Sequence, residues 1–269
     1  MFIKYQVLSF PFLAILAFSQ TGVPFVQSSS TPANMPDFIF AADVNRDRKL
    51  DIVFYSQETS DGPVVFLGNG NGALSFFGKG PFIPFTPYVA VGDVDGDGIP
   101  DVVTAQHFSA GQSLGGITVL HGNGDGTFRQ TYQYQFPSSD MVGAGGVAIA
   151  DVNRDGNADI ILTDIFNGTI YVFLGLGGGT FQLLSTPAAS IGPGQIVTGD
   201  FDGDGNLDLA IAIALESSTA TQPPYSAVSF MFGAGDGTFP STVTLQLPGM
   251  FHPQWPPRTS MVMARPIWR

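Results

Sequence analysis

An all-β fold of four-stranded antiparallel blades, a β-propeller of about four units, is what the sequence predicts, and three observations carry that reading. The acid is almost all Asp: the 269 residues hold 22 acidic side chains, and all but Glu58 and Glu216 are Asp. Helices favour Glu, Lys, Leu and Ala, whereas turns and metal loops favour Asp, Asn and Gly, and Gly alone numbers 34. An Asp-rich nonamer occurs four times, starting at Asp43, Asp93, Asp151 and Asp200, at intervals of 50, 58 and 49 residues. A Gly-rich turn follows each nonamer at a similar distance, at 68–74, 122–128, 175–181 and 233–239. A repeat of about fifty residues with short apolar runs between such turns is the signature of a blade, a small sheet that buries its faces by stacking on its neighbours.

Each unit reads in the same order. A first strand precedes the nonamer (88–92, YVAVG), a second follows it (101–105, DVVTA), a third precedes the Gly turn (117–120, ITVL) and a fourth follows it (128–134, and 242–247 in the last unit). The 24 Phe are expected to fill the layers between blades. In such a meander the nonamers and the Gly turns emerge at one end. The other end carries irregular segments at 56–63, 106–116, 164–168 and 216–226, where His107, Phe108, Phe166, Asn167 and Tyr225 are candidates to grip a glycan or a protein.

Within the nonamers, positions 1, 3, 5 and 9 carry short oxygen-bearing side chains. These are Asp43, Asn45, Asp47 and Asp51; Asp93, Asp95, Asp97 and Asp101; Asp151, Asn153, Asp155 and Asp159; and Asp200, Asp202, Asp204 and Asp208. Gly98, Gly156 and Gly205 at position 6 permit the positive φ that folds the chain back over an ion. The position 7 carbonyl of Lys49, Ile99, Asn157 or Asn206 can then join the side-chain oxygens. Hard, all-oxygen ligation selects calcium, at up to four sites. An EF-hand would need a bidentate Glu at position 12, where this chain has Phe54, Thr104, Leu162 and Ile211 inside β runs. Four metal-free Asp-Gly hairpin turns are the plainer alternative, but converging carboxylates without a cation repel one another. The first loop departs from the pattern: Arg48 replaces the Gly, and Arg46 and Lys49 add charge, so its site is expected to be empty or weakest.

The pairing of D-x-[DN]-x-D-G-x-x-D with G-x-G-x-G-T-F downstream resembles the FG-GAP or VCBS repeats of integrin-α-like β-propellers, over about residues 37–247. That resemblance implies that the nonamer is a calcium-binding β-hairpin loop whose Asp and Asn act as ligands. Relatives that close as seven blades have more copies than four. This chain is therefore expected to be a small ring, an open arc or a truncated propeller, with self-association through its terminal blades as an alternative to closure.

Residues 1–19 read as a secretory signal: Lys4, an apolar stretch over 7–17 interrupted by Pro11, then small residues around Ser19. The stretch is too short for a stable membrane span. A Ser-, Thr- and Pro-rich linker follows over 20–36, and the tail 248–269 matches no repeat and is unassigned. A secreted or cell-surface location follows from that signal.

A net charge of −12 with ten basic residues leaves no surface to neutralise phosphates, which excludes nucleic acid as a partner. Zero Cys excludes disulfides, thiolate zinc sites and Cys nucleophiles together. The G-x-S-x-G match at 111–115 lacks the strand-to-helix turn that motif needs, and His107, His121 and His252 show no ligand or triad spacing. The expected function is a non-catalytic binding or adhesion module for an extracellular protein or glycan. The alternative is a polysaccharide-processing, lyase-like enzyme on the same scaffold.

Overall fold

The computed structural model describes residues 38–55, 62–83, 88–109, 113–184, 192–215 and 225–247; the expected signal, linker and tail lie outside them. Among the described residues sixteen strands form four antiparallel sheets, each a simple meander in chain order. The first holds β1 (Phe38–Ala42), β2 (Asp51–Tyr55), β3 (Val64–Gly68) and β4 (Leu74–Lys79). The second holds β5 (Tyr88–Gly92), β6 (Asp101–Ser109), β7 (Ser113–Gly122) and β8 (Phe128–Gln135). The third holds β9 (Ala144–Ala150), β10 (Asp159–Asp164), β11 (Thr169–Gly175) and β12 (Phe181–Leu184). The fourth holds β13 (Pro193–Gly199), β14 (Asp208–Leu215), β15 (Tyr225–Phe232) and β16 (Ser241–Leu247). Among the described residues no helix is long and apolar enough to cross a membrane.

The nonamers close the first hairpin of every sheet in one register, with Ala42 opposite Asp51, Gly92 opposite Asp101, Ala150 opposite Asp159 and Gly199 opposite Asp208. The Gly turns close the third-to-fourth hairpin at the same end, as Gly122 opposite Phe128 and Gly175 opposite Phe181 show. The sheets stack in chain order through β1, β5, β9 and β13. No closed ring is detected among the described residues, where the main contacts between sheets join neighbours in chain order.

Three apolar layers lie between the sheets. Val44, Val53 and Val102 centre the first, Val119, Ile160 and Phe173 the second, and Ile161, Leu209 and Ile211 the third. The expectation that Phe fills these layers is met only in part. Near the stacking axis the strands are close and β-branched residues suit a pleated surface. Phe136 and Phe173 do fill the second layer, and Phe128, Phe181 and Phe239 enter one layer each from the ends of the Gly turns, whereas Phe76, Phe77 and Phe82 are exposed.

One further segment differs from expectation, and another holds a buried acid. Residues 106–116 are largely not irregular, since β6 and β7 stay paired out to Ser109 and Ser113. The stretch Ser113–Gly115 of the G-x-S-x-G match is therefore in a strand. In the turn at 164–168, Asp164 is fully buried, and its Oδ1 accepts from the Gly143 amide at 2.9 Å and the Phe166 amide at 3.0 Å.

Candidate metal centres

The four nonamer loops share one hydrogen-bond scheme. The position 1 carboxylate accepts from amides across the loop: Asp93 from Gly96 and Gly98, both at 2.8 Å, and Asp200 from Gly203 at 2.7 Å and Gly205 at 3.0 Å. Position 3 accepts from the position 5 amide, as in Asp97 N to Asp95 Oδ1 at 3.0 Å. Position 5 accepts from the position 7 amide, as in Ile99 N to Asp97 Oδ1 at 2.8 Å. The side-chain oxygens thereby turn inward before any ion is considered, while each keeps a lone pair to offer.

Convergence is closest in two loops. Ligand oxygens of Asp93, Asp95 and Asp101 lie within 4.8 Å of one another, and so do those of Asp200, Asp202 and Asp204. This donor set is all oxygen and rich in charge, which fits a hard divalent cation. In the third loop the Asn153 amide donates to Asp155 Oδ2 at 2.9 Å. In the first, the Lys49 ammonium sits 3.2 Å from Asp47 Oδ2 and offsets that carboxylate's charge. What slight burial raises at Asp47 is outweighed by the Lys49 amide and ammonium, which hold its carboxyl below the usual range.

Position 6 takes the left-handed conformation in every loop, including Arg48 at φ 64°. A side chain there costs about 1 kcal/mol relative to Gly. Arg48→Gly is expected to raise the melting temperature by about 2–4 °C, read by thermal denaturation. A fall would show that Arg48 makes a stabilising contact that outweighs its backbone strain.

Position 9 does more than its predicted ligand role requires. Asp51, Asp101, Asp159 and Asp208 are all but fully buried. One oxygen of each accepts from the position 2 amide and the other from the first Gly of the neighbouring Gly turn. For Asp159 the donors are Val152 at 2.8 Å and Gly175 at 2.7 Å. Burial pushes the Asp101 carboxyl up to about 6 against those amides and His121, with Asp95 adding repulsion, and burial also raises Asp159. A cation beside such carboxylates would favour their charged form.

Two features of the loop face were missed in the sequence. His121 is buried with Nδ1 3.2 Å from Asp95 Oδ2, and a Cβ at Gly179 of the next sheet would come within 2.3 Å of its Nε2. The signal was its place before the Gly turn, where the other units carry Leu67, Leu174 and Phe232. Position 4 is the second. Arg46 donates to the Asp97 carbonyl of the next loop at 3.4 Å, and Arg154 donates to the Gly205 carbonyl of the loop after it. Gly96 has no side chain to span the gap between the second and third loops. A cavity of about 230 Å³ stays open there, lined by Asp93, Asp95, Gly96, Asp151, Gly156 and Asn157 among others.

At the opposite end, His107 and Phe166 stack with centroids 5.8 Å apart, and Asn167 donates to the Asp140 carbonyl at 2.7 Å. These residues are brought together. The Tyr225 side chain lies outside the described residues.

Comparison with known proteins places these loops in a family. The structure is similar to that of an Agrocybe aegerita lectin described as recognising non-reducing terminal N-acetylglucosamine, with 22% identity and a TM-score of 0.53 over 77% of this chain and 51% of the lectin's. It is also similar to the V. cholerae biofilm matrix protein Bap1, with 19% identity and a TM-score of 0.46 over 76% of this chain and 28% of that one. A rhamnogalacturonan lyase matches at 13% identity and a TM-score of 0.41 over 72% of this chain and 46% of its own. The chain thus spans about half the length of the lectin and less of the other two. No curated protein matches it in sequence. The FG-GAP-like repeat matches at 43–104, 93–162 and 151–211, each match opening on position 1 of a nonamer. Those matches together cover more than half of the 269 residues, and the chain belongs to the FG-GAP-like repeat family.

Proposed function

We propose that this chain is a secreted or cell-surface, calcium-stabilised binding module that holds an extracellular glycan or protein and catalyses nothing. Calcium would be held by Asp93, Asp95 and Asp101 in the second loop and by Asp200, Asp202 and Asp204 in the fourth, where the oxygens converge. The remaining position 5 and position 9 carboxylates and the Ile99 and Asn206 carbonyls lie in the same loops and complete the donor set by type. The first and third loops are weaker candidates, because among the described residues only the second and fourth loops bring three carboxylate oxygens together, and in the first Lys49 already pairs with Asp47.

The observation that carries the binding role is the cavity between the second and third loops. Its wall mixes the carboxylates of Asp93, Asp95 and Asp151 and the Asn157 amide, whose oxygens accept hydrogen bonds from hydroxyl groups, with the apolar Val94 and Ala158, and it adjoins the convergent oxygens of the second loop. At about 230 Å³ it is smaller than the roughly 300–1,000 Å³ of drug-sized pockets, so it suits one sugar ring edge or one side chain of a partner. The family membership and the likeness to a lectin fold support a display scaffold of this kind.

The test is a glycan array and an extracellular-protein pull-down with the mature chain, in calcium and in chelator. Calcium-dependent capture that Asp151→Ala weakens by roughly tenfold supports the reading. Product formation from acidic polysaccharides would replace it with the lyase-like alternative.

A further inference from the structure

We propose that the outer face of the fourth sheet docks on the outer face of the first sheet of a second copy, head to tail, so that two chains complete one ring of eight blades. Both faces are apolar and neither is covered by another described sheet. In the fourth sheet, Leu209, Ile211 and Met231 face the third sheet, so alternation turns the row Val197, Ala210, Phe230 and Val243 outward. Val197, Val243 and the neighbouring Leu245 are exposed, and Phe201 packs edge-on against Phe230 at 5.5 Å. In the first sheet, Val53, Tyr55 and Val65 face the second sheet, leaving the row Ala41, Ile52, Phe66 and Phe76 outward. Phe66 lies 5.6 Å from Phe76, and Ile39 and Phe76 are exposed.

The internal interfaces supply the docking rule. The Gly126 amide of the second sheet donates to the Val44 carbonyl of the first at 3.0 Å, and the Gly237 amide of the fourth donates to the Val152 carbonyl of the third at 3.3 Å. The equivalent pair at the open ends is the Phe201 carbonyl on the fourth sheet and the Gly72 amide on the first. These stand at opposite ends of one chain, so only another copy, or the same chain closing on itself, can join them. No closure is seen among the described residues.

Charge selects the orientation. Arg46 and Arg154 show that neighbouring loops lie side by side across each interface they span. The fourth loop carries Asp200, Asp202, Asp204 and Asp208 and no basic residue, while the first carries exposed Arg48 and Lys49 beside its three Asp. Head-to-tail docking sets these two loops together. Docking the fourth sheet on another fourth sheet would instead set two acidic loops face to face. Two copies close both interfaces at once, and eight blades is within the usual range of about four to eight.

Light scattering on the full chain tests this, with the exposed outer-strand residues as reporters. The wild type should have twice the 28.4 kDa chain mass. Val243→Lys and Phe76→Glu should each weaken the dimer by roughly tenfold or more without changing circular dichroism. The double variant should restore it, because each interface then pairs Lys with Glu. A monomer at every concentration, or a dimer that ignores both single variants, would overturn the proposal. So would a monomer that dimerises only after residues 248–269 are deleted, which would assign the open face to the chain's own tail.

Discussion

Chelation of calcium is expected to lower the melting temperature by about 10–20 °C. An ion that binds only the native state stabilises it by RT ln(1 + [L]/Kd), about 2.7 kcal/mol at a hundredfold excess over Kd. Two loops have convergent carboxylate oxygens, so the gain is roughly 5 kcal/mol, and each kcal/mol moves the midpoint of a domain this size by about 2–4 °C. The chain's net charge of −12 adds to the effect, since every bound ion relieves repulsion among its neighbours. Thermal melts in chelator, in calcium and in magnesium read this directly. In the same assay Asp97→Ala and Asp204→Ala should each remove part of the calcium shift, whereas Asp47→Ala should change it little because Lys49 already neutralises that carboxylate. An identical melt in chelator and calcium would leave the loops as metal-free hairpin turns.

The blades and the common end of their loops were legible because two motifs recur in register, and a period of about fifty residues leaves few folds to choose from. The left-handed position 6, including Arg48, was legible for the same reason: three Gly in one column define what the fourth residue must do. Contacts across blades were not. Arg46 and Arg154 each reach a carbonyl 51 positions away, and nothing local in the sequence distinguishes them from solvated arginines. The cavity beside Gly96 follows from those contacts and was hidden with them. His121 was judged by spacing to other histidines and acids along the chain, yet its partner Asp95 is set by the way the second sheet folds back on its own loop. Ring closure was not legible either, because an outward blade face has the same alternation as an internal one until the next blade is placed.

Position 9 shows where sequence reading gives one role to a residue that has two. Asp159→Ala is expected to cost about 3–5 kcal/mol even in chelator, a fall of roughly 10–15 °C. Its two oxygens accept from the Val152 and Gly175 amides, which join the metal loop to the Gly turn, and the side chain is fully buried. Removing it orphans two buried donors and leaves a void, each a recognised source of large destabilisation. The third loop is the right place to look, because it is not one of the two with convergent carboxylates, so calcium is expected to contribute little there, and it lacks the Lys49–Asp47 pair of the first loop. Asp155→Ala is the control: it is exposed, it accepts from the Asn157 amide at 2.8 Å, and in chelator it should cost about 1 kcal/mol or less. Asp159→Asn should fall between the two, since the amide keeps one acceptor but turns an NH2 toward the other donor. Equal losses for Asp155→Ala and Asp159→Ala in chelator would show that the position 9 carboxylate is not the pin between hairpins, and that its burial serves ligation alone.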